Sequence, residues 1–276
     1  IKKNRMGTAK FLFVKSDGSL INKELSVKVN LHKHSFPFGI SLGQSWALFN
    51  QENFSRYRNY MGEVFNLVAL GFQWSWIEQK KGRIKKVAHI ESNLNWAKSK
   101  KVNIKGMPLI WHNAIPKWLN KINDLEEIEN LIAKRINYLL KKYPEVKTWN
   151  LYNEPTDVEK SFTKNNPIAK WVRSKGGPIK AQAWVIKLAR KIAPLNIYVN
   201  NHYAYKDPAF KKMNLELIKM GANFDAIGVQ THMHTKQNRL SEEGLLKLLE
   251  EYRVIGKPLH LTEISVPSSI PFNNWA

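Results

Sequence analysis

Cysteine is absent from all 276 residues. Disulfide staples, zinc–thiolate sites and thiol nucleophiles are therefore excluded. The absence assigns no compartment, because a chain of this length buries a core that needs no covalent cross-link. Long apolar runs are missing too. None approaches the roughly 18–20 residues that a membrane-spanning helix needs, and no signal peptide follows the first residue, Ile1. Acidic residues are scarce: 22 Asp and Glu against 44 Lys and Arg leave a net charge of +22. Such a field attracts polyanions. The basic residues are nevertheless scattered, in pairs such as Lys2-Lys3, Lys80-Lys81, Lys85-Lys86, Lys100-Lys101, Lys141-Lys142 and Lys211-Lys212, and form no single arm. No nucleic-acid motif accompanies them. The expectation is a solvated basic surface without a nucleic-acid partner.

What is present suits a large core. Hydrophobic residues make up 43% of the chain, and tryptophan occurs 10 times. Most of these rings are expected to pack inside. Some suit a cleft, because a flat apolar ring can lie against the C–H face of a sugar. The first 36 residues differ from the rest. A loose alternation over 9–14, a turn signal at Ser16-Asp17-Gly18-Ser19 and a clean alternation over 25–31 predict a β-hairpin. This extension, 1–36, is expected to precede a main domain, 37–276, and to dock on it.

Along the main domain short apolar runs alternate with amphipathic stretches. Strands are expected at 38–42, 64–70, 104–111, 148–153, 197–201, 226–231 and 258–264. Helices are expected at 51–61, 90–100, 125–142, 179–192, 209–220 and 241–255. This rhythm predicts parallel βαβ units. A glycine-rich phosphate loop after the first strand is missing, which weighs against an open dinucleotide-binding sheet. Polar and aromatic residues instead gather at the C-terminal ends of the strands, where (β/α)₈ TIM barrels place their active sites. Seven barrel strands are read and the eighth is not, so the barrel is expected to be C-terminally incomplete in this chain.

Two carboxylates stand out. Trp149-Asn150-Leu151-Tyr152-Asn153-Glu154 is an apolar run ending in Asn-Glu, and Leu259-His260-Leu261-Thr262-Glu263 carries a second glutamate in another such run. A charge there is costly unless it is paired or used. Both fall at the same rim of the barrel, together with Gln230-Thr231-His232. A carboxylate pair about 5–5.5 Å apart is the arrangement of retaining glycoside hydrolysis.

Five segments in order resemble the family 10 endo-β-1,4-xylanases. Trp111-His112-Asn113-Ala114-Ile115-Pro116-Lys117-Trp118 is similar to WH-x-x-x-P-x-W, and Trp149 to Glu154 is similar to W-x-x-x-N-E. Asn200-Asn201-His202-Tyr203 resembles N-D-Y, Gly228 to His232 resembles G-x-Q-x-H, and Thr262-Glu263 resembles T-E. The resemblance implies Glu154 as acid/base and Glu263 as nucleophile. It implies Asn153 at the sugar 2-hydroxyl, His232 holding Glu263, and Gln230 beside Glu154. Trp111 and His112 would line the subsite next to the scissile bond, with Tyr203, Gln73 and Trp74 also at the sugar. Neither cofactor nor metal is implied. The partner would be a polysaccharide or oligosaccharide, met by a secreted or extracellular enzyme.

The chain departs from the family after strand two, where E-N-x-M-K-W becomes Ala69-Leu70-Gly71-Phe72-Gln73-Trp74, and after strand three, where a sugar-binding histidine becomes Met107. Phe72, Trp74, Trp76 and Met107 would then make a more apolar pocket for the glycone sugar. The expected activity is retaining hydrolysis of a β-1,4-linked xylan-like polysaccharide. The alternative is a noncatalytic or altered-specificity glycan-binding relative.

Overall fold

The computed structural model describes residues 10–30, 35–42, 51–84, 87–160, 165–203, 207–233 and 239–266. The chain divides into two compact units, 1–36 and 37–276.

In the first unit the expected hairpin is reduced to its turn. Gly18, at φ +81°, closes a loop in which the Lys15 N–H donates to the Ser19 carbonyl at 2.8 Å. Asp17 accepts from the Ser19 N–H at 2.9 Å. One antiparallel bridge, Val14 to Leu20, flanks it. Residues 25–30 form no strand, despite their alternation. Period-2 patterning specifies a strand only where a neighbour supplies the ladder. Ala9 and Leu31, at the ends of the two expected strands, lie outside the described residues, as do Lys2, Lys3, Lys85 and Lys86.

The second unit alternates strand and helix: β1 Gly39–Ser41, α1 Gln51–Val64, β2 Leu67–Gly71, the short α2 Trp74–Ile77, α3 Val87–Ser99, β3 Asn103–Met107 and β4 Ile110–Trp111. There follow α4 Leu125–Lys142, β5 Thr148–Asn150, β6 Tyr152–Asn153, α5 Pro167–Ser174, α6 Pro178–Ile192, β7 Ile197–His202, α7 Pro208–Lys219, β8 Ala226–His232, α8 Glu242–Arg253 and β9 Leu259–Ser265. Seven strands form one sheet in the order β1-β2-β3-β5-β7-β8-β9, every pair parallel. This is the curled sheet of a (β/α)₈ TIM barrel, with β1 and β9 as the edges among the described residues. The seven strands expected in this unit are all present, each within a few residues of its predicted bounds. Two of them are broken: 104–111 divides into β3 and β4, and 148–153 into β5 and β6. β4 and β6 then pair with each other, Trp111 opposite Asn153.

Helix ends follow side-chain chemistry. Asp124 caps α4 by accepting from the Glu126 and Glu127 N–H groups, and Lys141 and Lys142 complement its C-terminal dipole. The buried stripe of α4, Ile128, Ile132, Ile136 and Leu139, runs at helical spacing against the sheet. Arg135 is buried in the same stripe. Its Nε donates to the Leu109 carbonyl at 2.8 Å, a terminal nitrogen donates to the Phe72 carbonyl, and the guanidinium lies 5.2 Å from the Trp74 ring centroid. Burial pushes its pKa down to about 9. Arg135 thus ties the chain after β2 to the chain between β3 and β4.

Gly106 shows how closely β3 approaches β5. A Cβ there would lie 2.3 Å from the buried Trp149 ring. Gly106→Ala is expected to cost about 1–3 kcal/mol through overpacking. Urea unfolding of the two proteins measures it, and an unchanged midpoint would contradict the close approach.

Candidate active site

Glu154 sits where β6 ends, and its backbone is left-handed (φ 53°, ψ 48°). A non-glycine residue rarely adopts this conformation, and one followed by proline is further restricted. The strain is held by the surroundings. The Glu154 N–H donates to the Asn201 carbonyl at 3.0 Å, and Pro155 opens a 3₁₀ turn, Pro155–Glu159. The left-handed residue stops the strand and sends its side chain across the rim. There one carboxylate oxygen accepts from Trp111 Nε1 at 2.9 Å and the other from Gln230 Nε2 at 3.1 Å.

Glu263 reaches the same rim through an irregularity. Along β8 and β9, Val229 pairs with Leu261 but Gln230 pairs with Glu263, so Thr262 is an extra residue. Such a bulge breaks strand alternation and re-aims a side chain. Leu261 and Ile264 are exposed while Thr262 and Glu263 between them are not, so the two sit on the same side. Glu263 Oε1 accepts from Asn201 Nδ2 at 2.8 Å, and its Oε2 lies 3.2 Å from His232 Nε2. His232 Nδ1 in turn lies 2.9 Å from the Ser265 hydroxyl.

The two glutamates are joined by amides. Asn201 Nδ2 also donates to Asn153 Oδ1 at 2.7 Å, and Gln230 Nε2 approaches that same oxygen at 3.4 Å. The path from Glu263 runs through Asn201, Asn153 and Gln230 to Glu154. Glu154 is only 4% exposed, and its pKa is raised. Burial is the largest cause. The hydrogen bonds from Gln230 and Trp111 oppose it, the Glu263 charge adds to it, and His202 opposes it. Such a carboxyl keeps its proton to higher pH than an ordinary glutamate and can act as an acid. Lys105, buried on β3, is pushed down to about 7 by burial, against the pull of the Glu263 charge.

The site residues read from the sequence divide into two groups. Asn153, Glu154, Gln230, His232, Glu263 and Trp111 converge on the network just described. Tyr203 stands beside it, its ring centroid 5.8 Å from that of His232. His112 lies beneath the rim, 1% exposed, with Nδ1 at 3.2 Å from the Tyr152 hydroxyl. Burial pushes it down to about 4, so it is neutral. Trp74 is enclosed by its neighbours. It is 3% exposed, its indole N–H donates to Glu78, and its ring meets Trp118 edge-on. Its ring also faces the Arg135 guanidinium. Phe72 is likewise buried, against Trp149 and Tyr143. Gln73 is half-buried, with Oε1 lacking a hydrogen-bond partner among the described residues.

The sequence reading gave no role to Asn201, Thr262 or Ser265. Asn201 was legible in principle: strand alternation puts it on the opposite face of β7 from Asn200, which is bonded to Gln182 and Asn214 among the helices. Behind Glu154 a further cluster joins Asp157, His202 and Asp207, with ligand-type atoms within 4.8 Å of one another. The Thr156 hydroxyl donates to Asp207 and lies 2.7 Å from His202 Nε2, while Lys160 pairs with Asp157. These bonds hold the turn after Glu154 in place.

Residues 28–274 match Glycosyl hydrolase family 10. The chain is 27% identical over 252 residues to endo-1,4-beta-xylanase B of Thermotoga neapolitana, covering 87% of this chain and 67% of that protein. It is 28% identical over 203 residues to endo-1,4-beta-xylanase A of Caldicellulosiruptor saccharolyticus, covering 68% of this chain and 56% of that protein. Among solved structures, native xylanase 10B from Thermotoga maritima superposes with a TM-score of 0.68 at 22% identity, covering 84% of this chain and 72% of that one.

The coupling between the glutamates can be read without substrate. Glu263→Gln removes the charge that raises Glu154, so the Glu154 pKa is expected to fall. Carboxyl ¹³C NMR titration of both proteins measures the change, and an unmoved or rising value would mean that the two groups are not electrostatically linked.

Proposed function

The chain belongs to glycosyl hydrolase family 10, and from that premise we propose that it cleaves a β-1,4-linked, xylan-like polysaccharide with retention of anomeric configuration. The observation that supports this reading is the pair of glutamates on one hydrogen-bonded path, of which Glu154 is buried with a raised pKa.

In the first step Glu154 delivers its proton to the glycosidic oxygen while Glu263 attacks the anomeric carbon. The C–O bond to the leaving group breaks as the Glu263–sugar ester forms. The Glu263 charge is then gone, and with it one cause of the raised Glu154 pKa. Glu154, now ionised, takes a proton from water, whose oxygen attacks the anomeric carbon and releases Glu263. The Trp111 and Gln230 donors suit this second state, because both favour the ionised carboxyl. Asn153, at the rim between the two, meets the sugar 2-hydroxyl. Trp111 and Tyr203 flank the ring, and His232 holds Glu263. His112 acts from below, through the wall that it shares with Tyr152.

Sugar preference is expected to differ from that of the two relatives. Ala69, Leu70, Gln73 and Met107 stand where the family grips the glycone with charged and polar groups, and each lost hydrogen bond removes about 1–3 kcal/mol of recognition. A polymeric substrate is met outside the cell, which supports a secreted enzyme.

Reducing-sugar release from xylan, mannan and mixed-linkage glucan tests the reading, with the product anomer followed by NMR. Glu263→Ala is expected to abolish release, and Glu154→Ala to lower it by about 10²–10⁴-fold. Saturable binding without release by the unaltered chain would favour a noncatalytic relative. A first product of inverted configuration would refute the double displacement.

A further inference from the structure

We propose that Asn201 is a positioning residue of this hydrolysis, whose side-chain amide aims the Glu263 carboxylate and fixes which way Asn153 faces the sugar. The inference rests on the reading of Glu263 as nucleophile.

Asn201 is fully buried. Its Nδ2 carries two hydrogens, and both are used: one on Glu263 Oε1 at 2.8 Å, one on Asn153 Oδ1 at 2.7 Å. Its Oδ1 accepts from the Thr262 hydroxyl. The reverse orientation of the amide would turn an oxygen toward two acceptor oxygens, so the contacts themselves decide the assignment. The main chain at 201 serves the same site, since the Asn201 carbonyl receives the Glu154 N–H at 3.0 Å. One residue therefore touches the nucleophile, the sugar-binding amide and the backbone of the acid/base.

The space around it is made by glycine. Gly228 pairs with Asn201 across β7 and β8, and a Cβ at 228 would lie 2.4 Å from Asn201 Oδ1. The bulge contributes Thr262, which locks the amide oxygen, and Glu263, which takes the amide hydrogen. With its Oδ1 engaged by Asn201, Asn153 is held from turning over. Asn201→Asp keeps the shape but removes both donors. It also sets a second carboxylate beside Glu263, and like charges at that distance hold a proton between them to higher pH.

The full chain carrying Asn201→Asp or Asn201→Ala tests the role, with circular dichroism as the check on folding. On an aryl β-xylobioside, Asn201→Asp is expected to lower kcat/KM about 10²-fold near neutral pH. It should also move the acidic limb of the profile up by about one pH unit. Asn201→Ala carries the measurement should the buried aspartate fail to fold. It is expected to lower kcat about 10²-fold by loss of the donor, with a smaller move of the limb in the same direction. A merely structural role would lower activity at every pH alike, and an unshifted limb in the folded variants overturns the inference. A melting-temperature cycle of Asn201→Ala, Glu263→Ala and the double variant reads the contact without turnover. Non-additive shifts support it and additive ones refute it. No sugar release by the unaltered chain refutes the reading of Glu263 as nucleophile, and the role of Asn201 with it. Glu263-dependent release with unshifted profiles refutes the role alone.

Discussion

A carboxylate removed from water must be met by donors, and two carboxylates brought together must also bear each other's charge. The site meets the first demand with side-chain N–H donors. Trp111 and Gln230 serve Glu154, while Asn201 and His232 serve Glu263. A cation on either glutamate would quench the asymmetry between them. The buried Lys105 ammonium, whose charge reaches Glu263, is itself weakened by burial. The two carboxyls also differ in depth: Glu154 is nearly enclosed, and Glu263 keeps more contact with solvent.

The scaffold assembles the two glutamates and their partners from five strands. β4 and β6, offset from β3 and β5, bring Trp111 alongside Asn153 and Glu154. β7 supplies Asn201, β8 supplies Gln230 and His232, and β9 supplies Thr262, Glu263 and Ser265. A regular parallel register would send alternate residues of β9 to opposite faces. The extra residue at Thr262 places two neighbours on the same side, and both engage Asn201.

The strands were legible because buried parallel strands are short apolar runs, and the helices because their buried residues recur at helical spacing. The glutamates were legible because a charge interrupts such a run. What escaped was set by contact and not by composition. No residue type announces the bulge at Thr262. Trp74 reads equally well as a cleft platform or as core, and nothing in the pattern announces the Arg135 and Trp118 that meet it. Residues 25–30 alternate as well as any strand yet pair with nothing among the described residues. The role of Asn201 depends on which strand lies beside β7, which pattern alone leaves open.

The left-handed backbone at Glu154 sets the proton donor proposed for this hydrolysis in tension with the fold that carries it. Glycine or asparagine would occupy that conformation at less cost, so the residue suited to chemistry is not the one suited to the turn. Selection for stability and selection for turnover therefore pull position 154 in opposite directions. A lineage that ceased to need hydrolysis would be expected to lose this glutamate early and to gain robustness by doing so, keeping the barrel while its chemistry lapsed.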